Sequence, residues 1–331
     1  MLSYIIRRLL QMGITLFVVS ILSFLLVVLA PGDPFAGHLD PNAVPADIER
    51  QRDTGGYDDP IVKKYVDFYS SFFSDLGAVV AGSSDHEWRL ISNNTKEPVL
   101  PTMWRKMLVT LPLVILTTII VWTLSFPIGI FSALRRGTIK DQTITVLAYT
   151  LIAFPGFWLA LLVINFFTVQ LGIPVISPET LGVELEGAKS FMDRTWHVAV
   201  PGIIGAFGGI AVLTRYVKGQ MLEVLGQDYI RTAKAKGLDH DTVHYRHALR
   251  NASLPFITMI AGLLPSLFGG SVIFESIYSW PGLGRWFLEA VFTRDTFIVM
   301  ANLFVGSGLT LIGILISDLL YSVADPRIKL S

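Results

Sequence analysis

MLVTLPLVILTTIIVWTLSFPIGIFSAL, residues 107–134, contains no Asp, Glu, Lys or Arg. An α-helix rises 1.5 Å per residue, so about 30 Å of hydrocarbon is crossed by roughly 20 apolar residues, a length that core helices of soluble proteins seldom reach. Outward from this stretch lie five more without charge: 9–32, 142–178, 195–214, 251–274 and 296–317. Elsewhere the longest charge-free runs are 76–84 and 276–284, nine residues each. The chain is 52% hydrophobic and 16% charged over 331 residues, whereas soluble domains carry about a quarter of their residues as charges. Because the charges are confined between the six stretches, the shortfall reflects membrane spans and not one oversized core. The expected fold is an all-α polytopic membrane protein with six transmembrane helices.

Two of the stretches are ambiguous by length alone. Two crossings plus a turn would need about 40 residues or more, and Gly172-Ile-Pro174 with Ser177-Pro178 has the character of an exposed turn. Stretch 142–178 is therefore counted once, as a helix over about 143–169. Arg7 and Arg8 precede Leu9–Ala30 in the manner of a signal peptide. Signal cores are only about 7–15 residues long, so a retained helix is expected.

Six crossings place both termini on one side. The N-terminus, 135–141, 215–250 and the C-terminus then share that side, with fourteen basic and six acidic residues. The opposite set, 33–106, 179–194 and 275–295, has twelve basic and nineteen acidic residues. Arg7, Arg8, Arg135, Arg136, Arg215, Lys218, Arg327 and Lys329 lie close to span ends on the first side, which the positive-inside rule assigns to the cytoplasm. Net charge is zero, which leaves nucleic acid without an electrostatic reason to bind. The absence of cysteine excludes disulfides and thiolate metal sites.

The outer segment 33–106 is the largest piece outside the spans. Asp59-Pro60 has the form of a helix start, with a capping carboxylate and proline in the first turn. Ile61, Tyr65, Phe68 and Phe72 then make one apolar stripe, expected to pack over the outer ends of the spans.

Loop 215–250 is far longer than a helix–helix connection requires. Asp228-Tyr-Ile-Arg-Thr-Ala-Lys-Ala-Lys-Gly237 suits a helix ended by a left-handed glycine. Asp239 or Asp241 can start a second helix running to about Leu249, with Val243, Tyr245 and Leu249 apolar. From pattern alone, this corner is either a docking element or a basic loop beside anionic lipid.

In these residues the sequence resembles a known family. Tyr229-Ile-Arg-Thr-Ala-Lys-Ala-Lys-Gly-Leu238, followed by Arg246-His-Ala-Leu-Arg-Asn251 and Leu254-Pro255, is similar to the signature loop of ABC-importer permeases in their dipeptide/oligopeptide (peptide/nickel) branch. Tyr4-Ile-Ile-Arg-Arg-Leu-Leu10, Ala30-Pro-Gly-Asp-Pro34, Tyr57-Asp-Asp-Pro60 and Tyr278-Ser-Trp-Pro-Gly-Leu-Gly284 resemble the B-type subunit of that branch, in order and along most of the chain. The resemblance implies a MetI-like permease core over 107–331 with its cytoplasmic coupling loop at 215–250, preceded by a first span in 1–32 and the outer segment 33–106. It implies a non-catalytic, pore-forming subunit in a prokaryotic inner (plasma) membrane. The implied partners are a second homologous permease subunit, two cytoplasmic ABC ATPase subunits, an extracytoplasmic substrate-binding protein and membrane lipid. ATP would be bound by the partners, with no cofactor or metal held here.

Carried onto this chain, the resemblance assigns the ATPase-coupling loop to Tyr229, Arg231, Thr232, Ala233, Ala235, Gly237, Leu238, His247 and Leu249. Ala233 and Gly237 fall on small positions, where bulk would block a close fit to the ATPase. Pro31, Gly32, Asp33 and Pro34, together with Pro281, Gly282 and Gly284, carry the extracytoplasmic motifs. The Glu of the general signature is replaced by Arg231 or Thr232, and a proline position by Arg250. Around Ser74-Asp-Leu-Gly77 a longer polar run departs from the family pattern, which puts recognition of substrate or binding protein at 75–100 in question.

The sequence contains no Gly-x-x-x-x-Gly-Lys-Ser/Thr loop, so energy from ATP has to come through a partner. An ion-driven secondary transporter would carry ionisable residues at span midpoints, and the six stretches have none. An intramembrane enzyme would need a clustered acid/base or metal constellation, which the scattered outer carboxylates do not make. Nickel or another small solute is the alternative cargo. His240, His244 and His247 share a helical face, but docking contacts or solvation are expected there before a metal. Asp318, near the inner end of the last span, is expected to reach water or an arginine instead of relaying protons. Pro127, Pro155, Pro201 and Pro265 are expected to kink their spans, and Gly202, Gly205, Gly208 and Gly209 make one helix nearly smooth, which suits close helix packing or a pore wall.

Overall fold

Arg7 and Arg8 occupy the first turns of an otherwise apolar, proline-free run, so Leu2–Val28 winds into one uninterrupted helix, α1. In the computed structural model, which describes residues 2–29, 59–83, 85–182 and 186–324, the chain is mostly helical, with no β-strand among those residues. After α1 come α2 (Ile61–Ala81) and α3 (Val99–Leu134), then α4 (Ile139–Ala153) and α5 (Gly156–Ile164), extended by a π-wound turn, Asn165–Gln170. Helix α6 (Gly187–Leu225) leads into α7 (Asp228–Ala235), a π-wound segment Thr242–Leu249 and a single turn, Arg250–Ala252. The remainder is α8 (Leu254–Ile260), α9 (Leu263–Gly269), α10 (Val272–Ile277), α11 (Leu283–Phe292) and α12 (Thr296–Ala324).

Four described helices, α1, α3, α6 and α12, are long and apolar enough to cross a membrane, and α4 with α5 form a bent pair that counts as a fifth if taken as one span. The single helix expected over 143–169, with a kink at Pro155, is instead broken by 83°. Proline disfavours helical backbone in the residue before it; Phe154 is extended (φ −84°, ψ 122°), and Pro155 starts the new helix. The sixth expected span, 251–274, is not one helix either. It divides at Ser253, at Ala261–Gly262 and at Gly270–Ser271. Pro255 and Pro265 each sit in the first turn of a short helix, where a missing N–H costs nothing. Gly313 of α12 lies so close to this break that an added Cβ would collide with the Ala261 carbonyl. By contrast, Pro127 and Pro201 remain inside continuous helices.

Helices α3 and α6 make the most extensive pairing, and small residues are its cause. A Cβ on Gly202 would meet Leu116 Cδ2 at 2.8 Å, and one on Gly209 would meet Val121 Cγ2 at 2.7 Å. Gly129 of α3 faces the Thr214 carbonyl and Val217 just as tightly. Gly205 touches Thr117 and Phe274 at ordinary distance, whereas Gly208 faces open space. Two hydroxyls add cross-helix bonds: Thr117 Oγ1 donates to Gly202 O (3.2 Å) and Ser125 Oγ to Ile210 O (3.3 Å).

Two cores form at opposite ends of α3. The first joins Phe24, Phe68, Tyr69 and Phe72 to Val99, Met103, Leu283, Trp286 and Met300. The aromatic stripe of α2 is thereby packed on the spans as expected, apart from exposed Ile61. Asp59 does not cap α2; its carboxylate pairs with Lys63 Nζ at 2.8 Å. The second core gathers Ile130 and Ala133 with Leu213, Val217 and Met221, and it supports the segment after α6.

Candidate coupling site

The loop expected over 215–250 begins later than the charges suggested, because α6 continues to Leu225 and carries Arg215 and Lys218 on its last turns. Beyond Leu225 the chain forms a hairpin. Its first limb, α7, has one apolar face: Ile230 and Ala233 are buried in the second core, while Tyr229, Arg231, Thr232, Lys234 and Ala235 are exposed. Gly237 closes the helix at φ +78°, with Gly237 N–H donating to Lys234 O (3.0 Å) and Leu238 N–H to Ala233 O (3.4 Å). This paired closure needs a left-handed residue. Asp239 then starts the second limb, accepting from Thr242 N–H at 2.9 Å. That limb is π-wound over Thr242–Leu249, burying Val243, His244 and Ala248, with His247 and Leu249 half-buried. Tyr245, expected among its apolar contacts, is exposed.

The nine loop residues therefore divide. Tyr229, Arg231, Thr232, Ala235, Gly237 and Leu238 face outward and are free to meet another molecule. Ala233 does not face outward: it is buried in this chain's own second core. Around Gly237 there is open space, so its size is set by backbone conformation and not by crowding.

The His240 and His244 rings meet edge to face at 3.7 Å. Among the described residues no group of three or more His, Asp or Glu converges as a metal site. Burial, helped by His240 and Lys234, holds the His244 imidazole below its usual pKa, and its Nδ1 has no hydrogen-bond partner. Asp318 meets an arginine: Arg8 Nη2 lies 2.7 Å from its Oδ2, and Arg8 Nε donates to Tyr4 OH at 2.9 Å. The pair is an ion contact without good hydrogen-bond alignment, since Oδ2 lacks a properly oriented donor.

The motif at 278–284 has a different role. Pro31, Gly32, Asp33 and Pro34 lie outside the described residues; Gly282 and Gly284 wrap a fully buried carboxylate, Glu275, while Pro281 is exposed. Thr110 Oγ1 of α3 donates to its Oε1 (2.9 Å), and Arg285 N–H donates to its Oε2 (2.8 Å). Leu283 N–H donates to Thr110 Oγ1 (2.8 Å), and Trp280 Nε1 to Val109 O (2.9 Å). A Cβ at Gly282 would stand 2.7 Å from Glu275 Oε2, and one at Gly284 3.1 Å from it. The glycines are there to let backbone close over the acid.

Two more buried acids order the polar run that departs from the family pattern. Asp75 accepts from His86 Nε2 (2.9 Å) and Leu90 N–H (2.8 Å), and Asp295 accepts from Ser92 Oγ (2.6 Å) and Asn94 N–H (3.3 Å). Segment 86–98 is thus fastened to α2 at one end and to the start of α12 at the other. Glu275, Asp75 and Asp295 escape notice in the sequence because isolated acids outside charge-free stretches look like solvated ones.

Comparison with known proteins agrees with this architecture. Residues 125–330 match the family model described as binding-protein-dependent transport system inner membrane component, and residues 1–114 match its N-terminal companion. The oligopeptide transport system permease protein AppB of Bacillus subtilis (strain 168) is 38% identical over 330 residues, covering 99% of this chain and 100% of that protein. The dipeptide transport system permease protein DppB of Escherichia coli (strain K12) is 32% identical, covering 99% of both chains. The glutathione transport system permease protein GsiC of Escherichia coli O6:H1 is also 32% identical with 99% coverage of both. The chain belongs to the family of inner-membrane components of binding-protein-dependent transport systems, and it is a multi-pass membrane permease.

Proposed function

We propose that this chain is the pore-forming permease subunit of an ATP-driven importer of peptides, and that the hairpin from Asp228 to Leu249 is its contact with a cytoplasmic ATPase. One observation carries this reading. The hairpin buries Ile230 and Ala233 on the ends of α3 and α6 while leaving Tyr229, Leu238 and Tyr245 exposed among basic residues. An exposed apolar set rimmed by charge is suited to a protein partner. Closure of two ATPase subunits would push the hairpin and, through α3 and α6, rearrange this subunit against a second homologous permease. The chain would itself be non-catalytic, with ATP bound by the ATPases, and a binding protein would deliver cargo on the far side. The distribution of Lys and Arg supports cytoplasmic termini. Relatives named for oligopeptide, dipeptide and glutathione transport support a peptide cargo over nickel or another small solute.

The test uses single cysteines at the exposed positions Tyr229 and Leu238 in the assembled transporter; buried Ala233 is unsuited to it. Crosslinks to the ATPase subunit, together with ATP-dependent uptake of labelled di- to oligopeptides, are expected. Absence of crosslinks with uptake that survives ATP depletion would overturn the reading in favour of an ion-driven transporter. Uptake of nickel in place of peptide would overturn the cargo alone.

A further inference from the structure

The inner ends of α3, α4 and α6 converge on a carboxylate for which the hairpin contact gives no role. Asp141, 6% exposed at the start of α4, accepts at Oδ1 from Ser132 Oγ of α3 and from Lys218 Nζ of α6, each at 2.5 Å. Its Oδ2 accepts from Gly137 N–H in the α3–α4 turn at 3.0 Å. Lys218 Nζ returns to α4 by donating to Thr145 Oγ1 at 3.0 Å. Charge-assisted bonds of this kind are the strong members of their class and hold geometry as well as energy. Asp141 and Ala148 are the only buried residues of α4, so the polar cluster ties the start of this helix, which further along packs on α6 with Arg215 over the Tyr149 ring.

The cluster also abuts the hairpin's floor. Ser132 is next to Ala133 and Lys218 next to Val217, and both neighbours lie in the core that receives Ile230. Gly129, one turn before Ser132, sits against the Thr214 carbonyl, so α3 and α6 move as one body at this level. Beyond α4 the chain turns by 83° into α5. A displacement at the hairpin reaches α3 and α6 through apolar packing; α4 and α5 also pack along α6, Ala160 sharing a core with Val200, and Asp141 adds the charged tie between α3, α4 and α6 at the hairpin end.

We propose that Asp141, held by Lys218, is a positioning residue for energy coupling: it locks the bent α4–α5 pair to the α3–α6 unit that bears the docking hairpin. The inference rests on the hairpin being the ATPase contact. Removing the lock leaves the hairpin, its floor and its exposed face intact, and removes the charged tie at the start of α4 while its packing on α6 remains.

The experiment compares D141N, K218M, K218R and the double variant D141N/K218M in the complete transporter, reconstituted with its ATPase and binding-protein partners. Peptide uptake per ATP hydrolysed is the readout, normalised to assembled complex. D141N and K218M are expected to lower that ratio at least ~5-fold, the low end of ordinary coupling between sites. K218R, which keeps the charge, is expected to restore most of it. The double variant should be no worse than either single one, because both remove the same link. Should D141N fail to assemble, K218M carries the test, since Ser132 and Gly137 still satisfy the carboxylate. An unchanged ratio in K218M, or strictly additive losses in the double variant, overturns the proposal. Crosslinking through a cysteine at Tyr229 separates the two levels. Crosslinks retained alongside a normal ratio sink this lock alone, and crosslinks absent from the parent chain sink the docking reading with it.

Discussion

Gly282→Ala is a one-methyl change with a large expected cost. The glycine's backbone, φ −83° and ψ −171°, is open to any residue, so the penalty comes from contact and not from conformation. The new Cβ would lie 2.7 Å from Glu275 Oε2 and overlap Thr110 Oγ1. Both partners are fully buried, so neither side chain can swing into solvent. Relief requires opening at least two of the bonds Thr110–Glu275 (2.9 Å), Leu283–Thr110 (2.8 Å) and Arg285–Glu275 (2.8 Å). Each buried group left without a partner costs roughly 1–3 kcal/mol, giving about 2–6 kcal/mol. Reduced freedom of the unfolded chain offsets only about 0.4–1 kcal/mol of this. Because membrane proteins in detergent usually unfold irreversibly, the useful measurement is the half-life of the folded chain at fixed temperature. A loss of ~2 kcal/mol from the unfolding barrier shortens that half-life about 30-fold. Gly208→Ala, where no atom lies within 4 Å of the added Cβ, is the matched control and should hold or gain half-life. A Gly282→Ala half-life within about twofold of the control would refute the argument that the glycine exists to seat Glu275.

Three further outcomes are expected. Pro155→Ala should let α4 and α5 straighten. Between spin labels at Thr143 and Val169 the bent pair spans about 28 Å and a continuous helix about 39 Å at 1.5 Å per residue, so a distance distribution that stays short would assign the bend to tertiary packing. His244 is buried and kept below its usual pKa, so it is neutral in the folded hairpin and the unfolded segment binds more protons. Hairpin stability should therefore be full above about pH 6.5 and fall as pH drops below it, down to the lowered folded pKa. Hydrogen exchange across 228–249 reads this slope, and His244→Leu should abolish it; a slope that persists in the variant assigns it to another group. Ser92→Ala removes a donor to buried Asp295 and the acceptor for Thr95 N–H, a local loss of about 1–3 kcal/mol. Protease should then cut within 92–98 faster than in the parent, and equal rates would mean that Asn94 N–H and the remaining contacts suffice.

Local physics made much of the chain legible before any fold was known. Leu2–Val28 and Thr296–Ala324 are helices of spanning length because long proline-free apolar runs with charge only near their ends have no better conformation in hydrocarbon. The α7 closure at Gly237 and the Asp239 start of the next limb were readable because caps depend on neighbours in sequence. The distribution of charge pointed to membrane spans, and the motif order pointed to a permease. What the sequence left open depends on atoms brought together from distant positions. Whether Pro155 kinks or breaks its helix, and whether 251–274 runs straight or folds into short pieces, turned on packing against Phe274, Gly313 and the Ala261 carbonyl. That Ala233 is buried could be seen only once the hairpin's two limbs and the helix ends were brought into one core. The lone acids Asp141 and Glu275 look alike on paper, but each is buried by partners from helices remote in sequence, Lys218 for one and Thr110 for the other. A carboxylate's burial is fixed by what closes over it, and that is decided by tertiary structure alone.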